Sequence, residues 1–313
     1  MVLIFAKIFS VFSISLFGYA ANKLKRLPGE STKYLSQLLL YIASPCLVIY
    51  SMSQEELNDD TVASVLQTAG LMVLALTVST VIAYLAVKIM KAPAEDRGVY
   101  EALLVLTNSG FMGYPLSLAV FGEKGLFLMI IANTCFTFFA YTIGVVILIS
   151  GRDEKLTLKT IIKSIISIPS ITTVIGLAIF AFGIQLPSLL EDFLDTVGAI
   201  TIPLSMIIIG IQLAESKVGE ILKNRHIFET VILRLAVFPL LLFGLFIWLP
   251  VSPFVLSIVV FAMAMPSAAI TPMLAEVYGA NAKLAAQAVF LTTMFSLITI
   301  PISAILLTLY LGV

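Results

Sequence analysis

The chain has 313 residues, 60% hydrophobic and 12% charged, with a mean hydropathy of +1.10 and a formal net charge of zero. A soluble domain carries about 25% charged residues, so this composition excludes a soluble fold, and the neutral balance speaks against a nucleic-acid partner. Cys46 and Cys135 sit inside apolar runs and the lone histidine, His226, in a charged loop; that pattern supports neither a disulfide framework nor a metal site, and no cofactor is expected.

About 20 apolar residues cross a bilayer. Ten segments qualify, at roughly 3–22, 32–53, 62–88, 98–121, 124–149, 160–183, 192–213, 227–249, 253–276 and 283–310, which predicts an all-α polytopic membrane protein. The first is followed, not preceded, by the basic cluster Lys23, Lys25 and Arg26. That order is the reverse of a cleavable signal, so the segment is expected to stay as the first span. With the N-terminus outside, fifteen of the eighteen Lys and Arg fall in cytoplasmic loops, Lys7 and Lys124 fall outside, and Arg234 lies within a span. This asymmetry follows the positive-inside rule and predicts that both termini are outside.

The fourth segment contains "LTNSGFMGYP" at 106–115. Gly and Pro weaken a helix interior, and Pro removes a backbone donor. In lipid each unsatisfied backbone group costs several kcal/mol, so a break here needs compensation. The ninth segment holds a comparable stretch, "MPSAAITPM" at 265–273, with Pro266 and Pro272 inside it.

The two halves of the chain correspond at a nearly fixed offset. Gly18 pairs with Gly176 and Pro45 with Pro203; Pro115 pairs with Pro272 and Gly122 with Gly279, and "VFGEKG" at 120–125 matches "VYGANA" at 277–282. Five spans per half give the halves opposite orientations, residues 1–150 forming one repeat and 151–313 the other. Inverted repeats with interrupted helices in corresponding places mark secondary transporters. A half-helix N-terminus carries roughly half a positive charge, so two breaks crossing at mid-membrane favour an anion. Simple proline kinks are the alternative.

These motifs resemble the auxin efflux carrier family in its compact bacterial form. Its fourth-span pattern, Asn followed by Gly-x-Pro, stands here as "NSGFMGYP" from Asn108 to Pro115, and its ninth-span pattern as "PSAAITP" from Pro266 to Pro272. The resemblance covers the whole chain. It implies a fold similar to that of bile-acid symporters and sodium/proton antiporters, with a scaffold of spans 1, 2, 6 and 7 and a mobile transport domain of spans 3–5 and 8–10 whose broken helices 4 and 9 cross. Family members move organic anions: indole acetate in plants, malate or malonate in bacteria. The long central loop of the plant exporters is missing and Thr107 stands where they carry Pro, so a small carboxylate is favoured over indole acetate. An elevator-type secondary transporter is therefore expected, with coupling to a proton or sodium ion and a homodimer through the scaffold helices left open.

The expected substrate contacts are Thr107, Asn108, Ser109 and Gly110 in the first break, Pro266, Ser267 and Thr271 in the second, and Asn133 and Arg234 on neighbouring spans. Asn108 can donate two hydrogen bonds to a carboxylate without a charge to desolvate, or cap the broken helix. Arg234 either balances a second substrate carboxylate or snorkels to the cytoplasmic surface. Asn133 and Thr137 share a helical face and either line the cavity or join helices. Gly113, Pro115 and Pro272 are expected to shape the crossing, and Pro45 and Pro203 the scaffold face. An anion channel is the competing reading. No metal cluster, Ser/His/Asp set or phosphate loop points to an enzyme.

Overall fold

The computed structural model describes residues 2–150, 168–215 and 224–312. Arg152, Lys155, Lys159, Lys163, Lys217 and Lys223, six of the fifteen Lys and Arg expected in cytoplasmic loops, lie outside these residues, as does the start of the sixth segment. The helices are α1 (Val2–Lys23), α2 (Ser31–Ser53), α3 (Asp59–Met90), α4 (Arg97–Val105), α5 (Gly113–Leu148), α6 (Ile168–Ala181), α7 (Ser188–Glu215), α8 (Arg225–Phe246), α9 (Pro253–Ala264), α10 (Thr271–Val277) and α11 (Ala282–Tyr310). Asn58, Asn224 and Asn281 start α3, α8 and α11, each side chain accepting from backbone amides of the first turn. Such caps satisfy donors that have no partner inside the helix.

Among the described residues seven helices are long and apolar enough to cross a membrane: α1, α2, α3, α5, α7, α8 and α11. The expectation is ten spans; the sixth, described only from Ile168, falls short because its start lies outside the described residues, and the rest of the difference has physical causes. The fourth and ninth segments are interrupted, leaving only short apolar pieces on either side. The second piece of the fourth segment then runs into the fifth through Gly122, whose left-handed backbone (φ 72°, ψ −165°) bends α5 within its length. Gly279, between α10 and α11, is also left-handed, at φ 65°. α2 and α7 carry comparable irregularities: a π-turn at Leu39–Ala43 ahead of Pro45, and a non-helical turn at 199–200 ahead of Pro203.

Two groups of contacts organise the helices. In the first, α1 lies along α7, and α2 packs on α6 and on the first half of α7. The α1–α7 crossing is very close. A Cβ on Gly18 would lie 2.1 Å from the Ile207 carbonyl oxygen, and one on Gly210 would lie 1.9 Å from that of Ser15. Small residues that let backbones approach in this way are the usual adhesive between membrane helices. In the second group α3 packs on α4, α5 and α9, while α11 packs on α8 and α10. Large apolar side chains face outward, among them Phe17, Leu189 and Trp248 at 73%, 82% and 87% exposure. Against water this would be a costly patch; against hydrocarbon it is the ordinary surface of a membrane helix.

Candidate functional site

The chain leaves helical geometry at Leu106 (ψ 120°) and at Met265 (ψ 152°), ending α4 and α9 in extended backbone. Thr107 and Ser267 then face each other as an isolated antiparallel bridge. Asn108 N donates to Pro266 O and Ala268 N to Leu106 O, both at 2.9 Å. The two breaks therefore cross and repair each other with sheet-type hydrogen bonds. Pro115 is the third residue of α5, and Pro272 the second of α10. Both prolines lie in a first turn, where the missing amide costs little, so they begin the second half-helices more than they break the first.

The carbonyl ends of α4 and α9 are satisfied by side chains from across the crossing. Ser267 Oγ donates to Leu103 O at 2.7 Å, and Thr107 Oγ1 donates to Ala262 O. Arg234, on the π-turn Leu233–Val237 of α8, is completely buried. Its Nη1 donates to Leu104 O at 3.0 Å and its Nε to Met265 O at 3.1 Å, while Nη2 has no partner among the described residues. The guanidinium is thus held between two helix C-termini inside the protein, and no surface-directed pose is present. Thr271 Oγ1 is buried without a partner among the described residues.

The opposite ends of the breaks meet a cavity of about 440 Å³, within the range of roughly 300–1,000 Å³ usual for small-molecule sites. Thr107, Asn108, Gly110, Phe111 and Tyr114 line it from the first break, and Ala268, Ala269 and Ile270 from the second. Asn133, Thr134, Thr137 and Tyr141 of α5 form another wall; α2, α6 and Thr201 of α7 close the far side, including Pro45. Asn108 is only 5% exposed, and its side-chain amide makes no hydrogen bond among the described residues, at a helix start without a side-chain cap. The backbone amides of Gly110, Phe111, Ala269 and Ile270 likewise have no acceptor among the described residues, as expected at half-helix N-termini. Among the described residues the single charged side chain in the lining is Lys33, near the start of α2.

Asn133 ties this wall to the break. Ser109 Oγ donates to Asn133 Oδ1 and Asn133 Nδ2 to Tyr114 OH, both at 2.8 Å. Of the expected contacts, Thr107, Asn108, Gly110 and Asn133 come together on the cavity, and Ser109 stands one hydrogen bond behind it. Pro266, Ser267, Thr271, Arg234 and Pro203 do not line it. Tyr114, Phe111 and Lys33 were missed. Tyr114 lies inside the motif already singled out, whereas Lys33 read as one more loop charge.

A model of the membrane transport protein family matches residues 3–304. The chain is 29% identical over 300 residues to an uncharacterized transporter of Methanocaldococcus jannaschii, covering 93% of this chain and 94% of the relative. It is 24% identical over 303 residues to an uncharacterized transporter of Methanothermobacter thermautotrophicus, covering 96% and 97%.

Proposed function

Because the chain belongs to the membrane transport protein family, the family of the auxin efflux carriers, we propose that it is a secondary transporter that carries a small organic anion across the cell membrane. One observation carries the choice of an anion. The Asn108 amide, nearly buried and unpartnered among the described residues, lines the cavity beside the N-terminal end of α5. A carboxylate placed there accepts from Asn108 and from the free amides of Gly110 and Phe111, at the positive end of a helix. Among the described residues the lining contains Lys33 and no Asp or Glu, so none of these side chains repels an anion.

The mechanism we propose is alternating access of the elevator type. Ten spans in two inverted repeats of five, 1–150 and 151–313, account for the paired breaks, for the left-handed Gly122 and Gly279 at matching places, and for the resemblance between the α1–α7 and α6–α2 contacts. The scaffold is α1, α2, α6 and α7, the first contact group; the remaining helices move and carry the crossing. With both termini outside, the Lys33 end of the cavity is cytoplasmic, and this conformation faces inward. A malate- or malonate-sized carboxylate is the favoured solute.

The test is thermal stabilisation of the purified protein by malate, malonate, lactate, indole acetate and the neutral diamide of malonate. A bound solute at 100 times its Kd adds about 2.7 kcal/mol. Saturable stabilisation by a carboxylate and none by the diamide is expected. No response to any carboxylate, or an equal response to the diamide, removes the anion site.

A further inference from the structure

We propose that Arg234 is the built-in cation of the crossing: its guanidinium occupies the carbonyl site between the C-termini of α4 and α9, so the protein needs no bound sodium there. Each helix C-terminus carries roughly half a negative charge, and two of them meet at Leu104 and Met265. In transporters with broken helices, unwound carbonyls and half-helix C-termini are the groups that coordinate sodium. Here both ends are already engaged by one side chain, at 3.0 and 3.1 Å, in a completely buried position. The neighbouring carbonyls are taken as well: Leu103 O by Ser267 Oγ, Leu106 O by Ala268 N and Pro266 O by Asn108 N. A sodium ion entering this place would have to compete with these donors for the same oxygens and would meet a fixed positive charge. One buried cation against two half-charges also leaves the centre of the crossing close to neutral, which lowers the cost of burying it in lipid. Arg234 is thus a positioning residue. It acts on the solute only by holding the two breaks together, and it comes from α8, outside both breaks.

Neutral and charged substitutions separate this role from packing. Thermal midpoints are compared in sodium chloride and in N-methyl-D-glucamine chloride at equal ionic strength, without solute, for the wild type, Arg234→Lys and Arg234→Met. The wild-type midpoint should be the same in both salts. Arg234→Lys, which keeps the charge, should stay closer to the wild type than Arg234→Met, and Arg234→Met should gain a saturable rise with sodium as its carbonyls fall vacant. A sodium-dependent rise in the wild type overturns the inference. So does an Arg234→Met protein as stable as Arg234→Lys and indifferent to sodium. If Arg234→Met does not fold, the wild-type salt comparison and the folding of Arg234→Lys still decide: an Arg234→Lys protein that also fails to fold counts against a charge role. No solute enters these measurements, so their failure is distinct from failure of the carboxylate panel.

Discussion

Asn108 and Pro266 are joined main chain to main chain, amide to carbonyl, at 2.9 Å. The bond does not involve the Asn108 side chain, which is left to the cavity. Asn108→Ala should therefore leave the crossing intact while removing a donor from the site. A hydrogen bond to a charged group contributes about 1.5–3 kcal/mol, so carboxylate affinity should fall roughly 10- to 150-fold. Titration of the stabilising carboxylate against the variant measures this. Wild-type affinity in a well-folded Asn108→Ala protein would remove Asn108 from the site.

The Ser109–Asn133–Tyr114 chain is expected to hold the cavity wall in register. Asn133→Leu strips both bonds and leaves the buried Ser109 hydroxyl without its acceptor, which should cost about 1–3 kcal/mol. Tyr114→Phe removes one bond only, and the freed Asn133 amide faces the cavity, where water can reach it. That variant should lose about 0.5–1.5 kcal/mol. Thermal midpoints of the two variants check the order; the reverse order would show that Tyr114 anchors the wall.

Gly18 and Gly210 should tolerate no side chain. Added methyl groups would overlap backbone oxygens of the partner helix, which cannot swing aside as a side-chain tip would. Gly18→Ala and Gly210→Ala should each destabilise by at least the roughly 1–3 kcal/mol of an overpacked core. Gly70, on α3, has nothing within 4 Å of its absent Cβ, and Gly70→Ala should be neutral or stabilising by up to about 1 kcal/mol. Equal thermal midpoints for all three variants would contradict the close crossing.

Gly122 gives a purely backbone test. Its absent Cβ also has open space, yet its φ is left-handed. Gly122→Ala should cost roughly 1–2 kcal/mol from backbone strain alone, visible as a lowered midpoint with no change in solute affinity. A midpoint at or above the wild type would mean that α5 does not bend there.

The proposed topology is checked by labelling. In a background without Cys46 and Cys135, a cysteine at Asp60 should react with an impermeant thiol reagent from outside, and one at Asp153 only from the cytoplasm. The opposite pattern would invert the orientation and move the cavity to the outer face.

The breaks were legible in the sequence because Gly and Pro in an apolar run have few innocent explanations. Asn108 and Gly110, singled out because they stand inside the break, both line the cavity. What could not be read was direction. Nothing in "MPSAAITPM" says that Ser267 turns back to cap α4 while Ala269 faces the cavity; that depends on how two distant segments cross. Arg234 shows the same limit. The sequence offered Arg234 either a substrate carboxylate or the surface, but the side chain's partners lie 130 and 31 residues away in sequence, at Leu104 and Met265. One span of the difference has a local reason: whether α5 is one helix or two turns on the φ of a single glycine, Gly122.

The reciprocal bridge between Thr107 and Ser267 also bears on what a carrier cycle can change. Each break supplies the other's missing partners, so pulling them apart would expose several backbone groups at once in a place without water. On the proposed cycle the solute's amide contacts therefore travel as one cassette, identical at both faces of the membrane. Only the wall supplied by α2, α6 and α7 is exchanged. Any difference between the affinities felt from inside and from outside should then be written in residues such as Pro45 and Thr201, and the chemistry at Asn108 should be the same on both sides.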